Sequence, residues 1–247
     1  MPQVGTEVEF PITPNKSLIS DRDNGEEIEV GVYTEEPFLS ILKAEKFHVV
    51  FEVGSRDGLD ALRIQDAYNP DLTCVFEPNP EAVQLVQTNL EGSERIRFFA
   101  AACWNVTGSI PFYPVLFSIP KGGPPERNIG ASSCYRDART CEERLFQTHI
   151  TVEAIRLDEL IAREGIGAPD LVCMDVQGAT LNVLQGLGAE LSNVRWILTE
   201  AETLTMYMGE ALLPEIEQYL GSYGFSRVAE KPANEFFGDY LFKNPNH

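Results

Sequence analysis

The residues with most chemistry in them lie in FEVGSRDG, positions 51 to 58, where an apolar run ends in Glu52, Gly54, Ser55, Arg56, Asp57 and Gly58. A second apolar run, from Thr73 to Phe76, ends in Glu77, Pro78 and Asn79, and Glu77 stands 23 residues beyond Gly54. That interval is close to the ~20 residues separating the glycine turn of a mononucleotide-binding βαβ unit from its ribose-binding acid. The two segments together read as a nucleotide-type cofactor site. A dinucleotide needs a glycine where the backbone approaches the pyrophosphate at the helix N-terminus, but that position holds Arg56, flanked by the negative charges of Glu52 and Asp57. S-adenosylmethionine carries an ammonium and a sulfonium and no phosphate, so acids at this turn attract it, and Glu77 can accept hydrogen bonds from both ribose hydroxyls. The turn therefore favours the methyl donor over a nicotinamide dinucleotide. The plain alternative is a strand-to-helix turn that uses its glycines only for positive φ.

Two further acids end apolar runs. Asp175 follows Leu171 to Met174 and Glu200 follows Trp196 to Thr199, positions corresponding to the carboxyl ends of central strands, where open α/β sheets place their ligands. Either can act as the base that takes a proton from an acceptor, and His149 has the ordinary pKa best matched to that task. Neighbouring strands lie ~4.8 Å apart, so Asp175 and Glu200 can also share a divalent cation that acidifies a hydroxyl, an option ranked below a metal-free site. Trp104, just past the third apolar run, is placed to stack on adenine. Ser132 and Ser133 can reach cofactor or acceptor if their loop closes as a lid. Packing and ordinary turn chemistry are the competing explanations for these three.

The elements that must position these residues alternate in the manner of a doubly wound α/β sheet. Residues 1–33 read as a polar, acidic N-terminal extension in which 28–33 can form a short strand, and 34–247 as a single domain. Helices are expected over 34–46, 58–68, from Asn79 onward with Val83, Leu85, Val86 and Leu90 inward, over 180–187 and over 212–223. Strands are expected over 48–53, 73–76, 96–103, 150–157, 171–176, 196–200, 225–229 and 240–243, with an added arm at 109–115 and about seven strands in the main sheet. The run 96–103 is nearly apolar throughout and fits a strand covered on both faces. From Leu116 to His149 the pattern dissolves into a loop too long for a plain connection, which reads as a lid-like insertion.

Composition bounds the partners. The 247 residues suffice for one α/β domain, and 19 basic against 38 acidic residues give a formal charge of −19, which repels polyanions such as nucleic acids. A small-molecule or glycan acceptor is expected instead. Cys74, Cys103, Cys134, Cys141 and Cys173 show no metal-ligand spacing and read as buried thiols. No signal peptide and no membrane span is evident, so a soluble, cytoplasmic protein is expected; oligomeric state is not legible.

At the fourth core run the chain resembles a family. DLVCMDVQGATLNVLQGLGAEL, 170 to 191, is similar to the FkbM-type methyltransferase pattern of a strand ending in Lys-x-Asp, a Glu-Gly-x-Glu turn and a helix with Val-Leu-x-Gly. FEVGSRDG resembles that family's Asp-Val-Gly-Ala-Asn-x-Gly turn, FEPNP its Phe-Glu-Pro, Ala131-Ser132-Ser133 its Ser-Ser, and Leu157-Asp158 its Leu-Asp. The resemblance implies a Rossmann-like sheet of order 3-2-1-4-5-7-6 with the seventh strand antiparallel, and S-adenosylmethionine-dependent methyl transfer to a hydroxyl oxygen. It implies that Glu52, Gly54 and Gly58 shape the methionine end of the cofactor, that Glu77 holds its ribose, and that Asp175 faces the methyl group. The departures are Met174 for the lysine, Gln177 and Thr180 for the two glutamates, and Arg156 for a threonine. Gln177 then offers an acceptor a neutral amide. An NAD-type oxidoreductase and a noncatalytic methyltransferase-like module are the alternative functions.

Overall fold

The computed structural model describes residues 31–139 and 143–246. In chain order the first half forms α1 (Phe38–Leu42), β1 (Val49–Val53), α2 (Leu59–Tyr68), β2 (Leu72–Phe76), α3 (Pro80–Asn89), β3 (Ile96–Phe99), β4 (Ala102–Cys103), β5 (Gly108–Phe112) and β6 (Val115–Pro120). The second half forms β7 (Glu143–Gln147), β8 (Ile150–Ile155), α4 (Leu157–Glu164), β9 (Leu171–Met174), α5 (Thr180–Gly186), β10 (Trp196–Glu202), α6 (Leu213–Ser222), β11 (Ser226–Pro232) and β12 (Phe237–Lys243).

Seven strands make the main sheet in the order β11-β12-β10-β9-β1-β2-β3. Strands β3, β2, β1, β9 and β10 pair in parallel, while β12 runs antiparallel to both β10 and β11. Counting only these seven in chain order, the arrangement is the expected 3-2-1-4-5-7-6. The apolar runs explain it, because parallel strands flanked by helices are covered on both faces. Along β1, Val50 packs with Phe38, Leu42 and Ile64 on one face, while Phe51 packs with Leu160, Leu184 and Leu220 on the other. Helices α1 and α2 thus cover one layer, and α4, α5 and α6 the opposite one. Each such buried Leu or Phe side chain contributes about 1.5–3 kcal/mol over its exposed state.

Local signals set the helix starts. Gly58 is the N-cap of α2 at φ 84, and the Asn79 side chain accepts the Glu81 N–H ahead of Pro80 to start α3. Inside α3, Ala82 and Val86 are buried, while Val83 and Leu85 are only half-buried.

Several expectations need correction. The run 96–103 is two strands, because β3 is the sheet edge and leaves Arg97 exposed, after which the chain turns and β4 joins β8 and β5 in a separate three-stranded sheet. The segment 116–149 is no plain loop: β6 and β7 pair antiparallel, with the Phe117 and Phe146 rings stacked at 4.3 Å. The helix expected over 34–46 is confined to Phe38–Leu42, after Pro37. Of the 28–33 strand only 31–33 is described, and Val32–Thr34 is a 3-10 turn; the rest of the N-terminal extension, and Cys141, lie outside the described residues. Cys74, Cys103 and Cys173 are buried free thiols and Cys134 is half-buried. No helix among the described residues is long and apolar enough to cross a membrane.

Candidate active site

A cavity of about 780 Å³ opens at the carboxyl ends of the central strands, within the size range of small-molecule and cofactor sites. Its floor is the turn after β1 and the residues that end β2, β9 and β10. Its walls come from 128–134, from Met206 in the loop after β10, and from Phe236 and Phe237 at the start of β12.

The turn is built by sterics. Gly54 sits at φ +84, and a Cβ there would lie 1.8 Å from the Asp175 carbonyl oxygen, so only glycine lets the end of β1 meet the end of β9. The Gly54 and Ser55 N–H groups both donate to the Phe76 carbonyl, at 3.0 and 3.1 Å. Arg56, also in the left-handed region at φ 57, turns its own N–H toward Glu77 Oε2 at 2.9 Å, while Asn79 N–H donates to Glu77 Oε1 at 2.7 Å. Glu77 is thus fixed by two backbone donors with its carboxyl facing the cavity. Burial pushes it up to about 7 despite those donors.

The second cluster joins Asp175 to Glu200. Gln177 Nε2 donates to Asp175 Oδ1 at 2.7 Å and to Glu200 Oε1 at 2.9 Å. Gln177 lies at φ 48, ahead of Gly178 at φ 87, and its carbonyl accepts from Ser133 Oγ at 2.6 Å. Burial raises both carboxyls above the usual range; for Glu200 the Asp175 charge adds to it, and for Asp175 the Gln177 bond opposes it. The chemistry open to such a pair is proton acceptance at a point just beyond the strand ends, next to space for a second molecule.

Of the residues anticipated, Gly54, Ser55, Arg56, Glu77 and Pro78 line one end of the cavity, and Asp175, Gln177, Glu200, Ser132 and Ser133 line it as well. Five do not line it. Glu52 is buried, with Oε2 lacking a hydrogen-bond partner and its carboxyl held well above the usual range by burial. Gly58 packs under the Leu90 side chain and serves the start of α2. Asn79 spends its side chain on Glu81 N–H and on Ser132 Oγ at 3.3 Å. Trp104 packs against the small sheet with its ring 5.6 Å from that of Tyr135, the packing reading of that residue. His149 is exposed between β7 and β8, its ring 5.3 Å from that of Tyr113, outside the cavity lining. Beyond these five, Thr180, which stands where the family pattern has its second glutamate, is buried and contacts Thr199 Oγ1 and the Glu200 carbonyl.

Sequence reasoning missed Tyr33, Arg139 and Asp239 in the lining, and Tyr207 behind it; Glu202, expected either to join Asp175 and Glu200 at a cation or to face solvent, is buried and does not line the cavity. Asp239 was recoverable in principle: antiparallel pairing of the seventh strand with the fifth sets it directly opposite Glu200. It too is pushed up to about 7, by burial first and the Asp175 charge next. Tyr33, Arg139 and Tyr207 arrive from loops, with no periodic signal to mark them. Among the described residues no group of three or more His, Cys, Asp or Glu side chains is arranged to hold a metal ion.

An open sheet of this order, with an acid-lined cavity at its strand ends, defines a Rossmann-like α/β protein. Residues 52–227 match the methyltransferase FkbM domain model, and the chain belongs to that family. It is 33% identical over 199 residues to the 2-O-methyltransferase NoeI of Sinorhizobium fredii, covering 79% of each chain. It is 24% identical over 198 residues to the methyltransferase sdnD of Sordaria araneosa, covering 74% of this chain and 75% of that one. Among solved structures, TrmK of M. capricolum with S-adenosyl-homocysteine aligns at a TM-score of 0.46 and 8% identity, over 84% of this chain and 67% of that chain.

Proposed function

We propose that this protein transfers a methyl group from S-adenosylmethionine to a hydroxyl oxygen of a small molecule or glycan. The observation that carries the reading is that Glu77 and the Asp175–Gln177–Glu200 cluster open into one cavity whose turn lacks a pyrophosphate seat. Relatedness to a 2-O-methyltransferase supports oxygen as the acceptor atom. The formal charge of −19 speaks against a polyanionic acceptor.

The donor fits the residues present. Glu77, with each oxygen already anchored by a backbone N–H, retains lone pairs for two ribose hydroxyls. The small side chains of Pro78, Ala101 and Ala102 line the cavity beside it and leave an apolar space for a flat base. The carboxyls favour the cationic end of the donor. When bound, the donor supplies an already activated methyl group, so the protein mainly has to align it with the acceptor. The Asp175–Glu200 pair would then receive the proton of the acceptor hydroxyl as that oxygen takes the methyl group.

Calorimetry with S-adenosylmethionine and with NAD tests the cofactor, and binding of NAD alone overturns the proposal. Transfer is read with labelled donor over a panel of neutral sugars and small alcohols. Asp175→Asn is expected to weaken the donor by about tenfold, since one of the carboxyls favouring its cationic end is lost, and to lower transfer at saturating donor by a further 10² or so, about the scale of a lost base; unchanged turnover removes Asp175 from the site.

A further inference from the structure

Tyr207 is wholly buried and does not line the cavity, yet it holds the residue that does. Its hydroxyl oxygen accepts from Arg139 Nη2 at 3.4 Å, and its proton points to Gln177 Oε1 at 2.5 Å, closer than the other acceptor, the Ala131 carbonyl at 3.2 Å. Arg139 is in turn set by Asp137 Oδ1 at 2.7 Å and lies over the Tyr207 ring, 5.1 Å from its centre. An amide that accepts through Oε1 must direct its NH₂ the other way. There Nε2 meets both Asp175 Oδ1 and Glu200 Oε1. With the two carboxyls ionised, the flipped amide would set its oxygen against both of them and its NH₂ against the phenol, so in that state one orientation satisfies all three contacts.

We propose that Tyr207 is a positioning residue of this site: its hydroxyl fixes the Gln177 amide so that one NH₂ group holds Asp175 and Glu200 toward a common point in the cavity. A glutamate at 177 would place a third carboxyl there, whereas the amide joins the two that exist. The assignment deepens the function proposed above and rests on it for what the pair faces. The other ionisable groups acting on the pair are Asp239, Glu202, Glu77, Tyr33 and Arg56, and all are retained in the variants below.

The test uses the full chain ¹⁵N-labelled at glutamine side chains. The Gln177 signal, identified by its loss in Gln177→Met, is expected to have both amide protons downfield of ordinary glutamines, and Tyr207→Phe to return them upfield. Calorimetry then compares S-adenosylmethionine with S-adenosyl-homocysteine, which lacks the sulfonium. Tyr207→Phe is expected to reduce the preference for the charged ligand about tenfold, the scale of one hydrogen bond to a charged group. The double variant with Gln177→Met should lose no more than Gln177→Met alone. Unchanged amide shifts in Tyr207→Phe, equal weakening of both ligands, or additive losses each overturn the assignment. Should Tyr207→Phe not fold, the parent spectrum decides by itself, since ordinary amide positions for Gln177 are incompatible with the arrangement. A parent chain that binds neither ligand refutes the proposed function, while the amide spectrum still judges Tyr207.

Discussion

Replacing Glu202 by glutamine should make the protein more stable, and increasingly so as pH rises from about 4.5 to about 8. Glu202 ends β10 with 2% of its surface exposed, and its Oε2 has no hydrogen-bond partner. Burial, then the neighbouring Glu210 carboxyl, pushes it from 4.5 up to about 8. A carboxyl with a raised folded-state pKa keeps its proton in the folded chain after the unfolded chain has released it. Its contribution is therefore fully present below the unfolded value and is lost as pH rises through the folded one. The loss is roughly 1.4 kcal/mol per pH unit inside that window, so between about pH 6 and about pH 8 it amounts to about 2.5 kcal/mol. Glu202→Gln keeps the shape and removes the titration. Urea unfolding of both proteins at the two pH values should show the stability difference moving by about 2.5 kcal/mol toward the variant as pH rises. Glu77 and Asp239, both pushed up to about 7, titrate in both proteins and cancel in that comparison. A difference that stays constant, or moves the other way, refutes the claim that Glu202 is buried as a neutral acid.

Three other outcomes are expected. Gly54→Ala sets a Cβ 1.8 Å from the Asp175 carbonyl at φ +84, and should cost about 3 kcal/mol or more together with donor binding; a chain with the parent melting temperature contradicts the packing of β1 on β9. Glu77→Gln should weaken S-adenosylmethionine by about tenfold or more through lost acceptance from ribose, measured by calorimetry, while 2′,3′-dideoxy donor analogues should bind both proteins alike. His149→Ala should leave donor binding and methyl transfer within about twofold of the parent, since the imidazole sits outside the cavity; a loss of a hundredfold would restore it as the base.

The sheet was legible because its strands are short apolar runs punctuated by glycine, proline and acids. Gly54, Glu77, Asp175 and Glu200 fall where a parallel strand must end, and ligands gather at those ends for reasons of topology alone. Residues 96–103 defeated the same logic. Apolar side chains are equally compatible with one long strand and with a short edge strand followed by a crossing into another sheet, and only tertiary packing decides. The 116–149 arm was read as irregular because its pairing partners, Val115 to Pro120 and Glu143 to Gln147, are separated by a long stretch whose glycine-proline turn at 121–125 does not join them directly. His149 and Trp104 were candidates for their chemistry, with an exposed loop position and core packing as the plainer readings, because residue type does not say which side of a loop faces a cavity. Conversely, Tyr207 and Arg139 matter through contacts with residues far away in sequence, which no local pattern encodes.

The cavity draws its walls from widely separated stretches: Tyr33, the 128–134 segment, and Phe236 and Phe237 beside the last strand. None of these stretches can form the pocket by itself, so it is complete only after the arm has folded back and β12 has slipped between β10 and β11. Ligand affinity should consequently be the last property to appear on refolding and the first to vanish under mild denaturant, well before the helical signal declines. A bound donor would in turn act as a clasp across the whole chain, linking its occupancy to resistance against proteolysis.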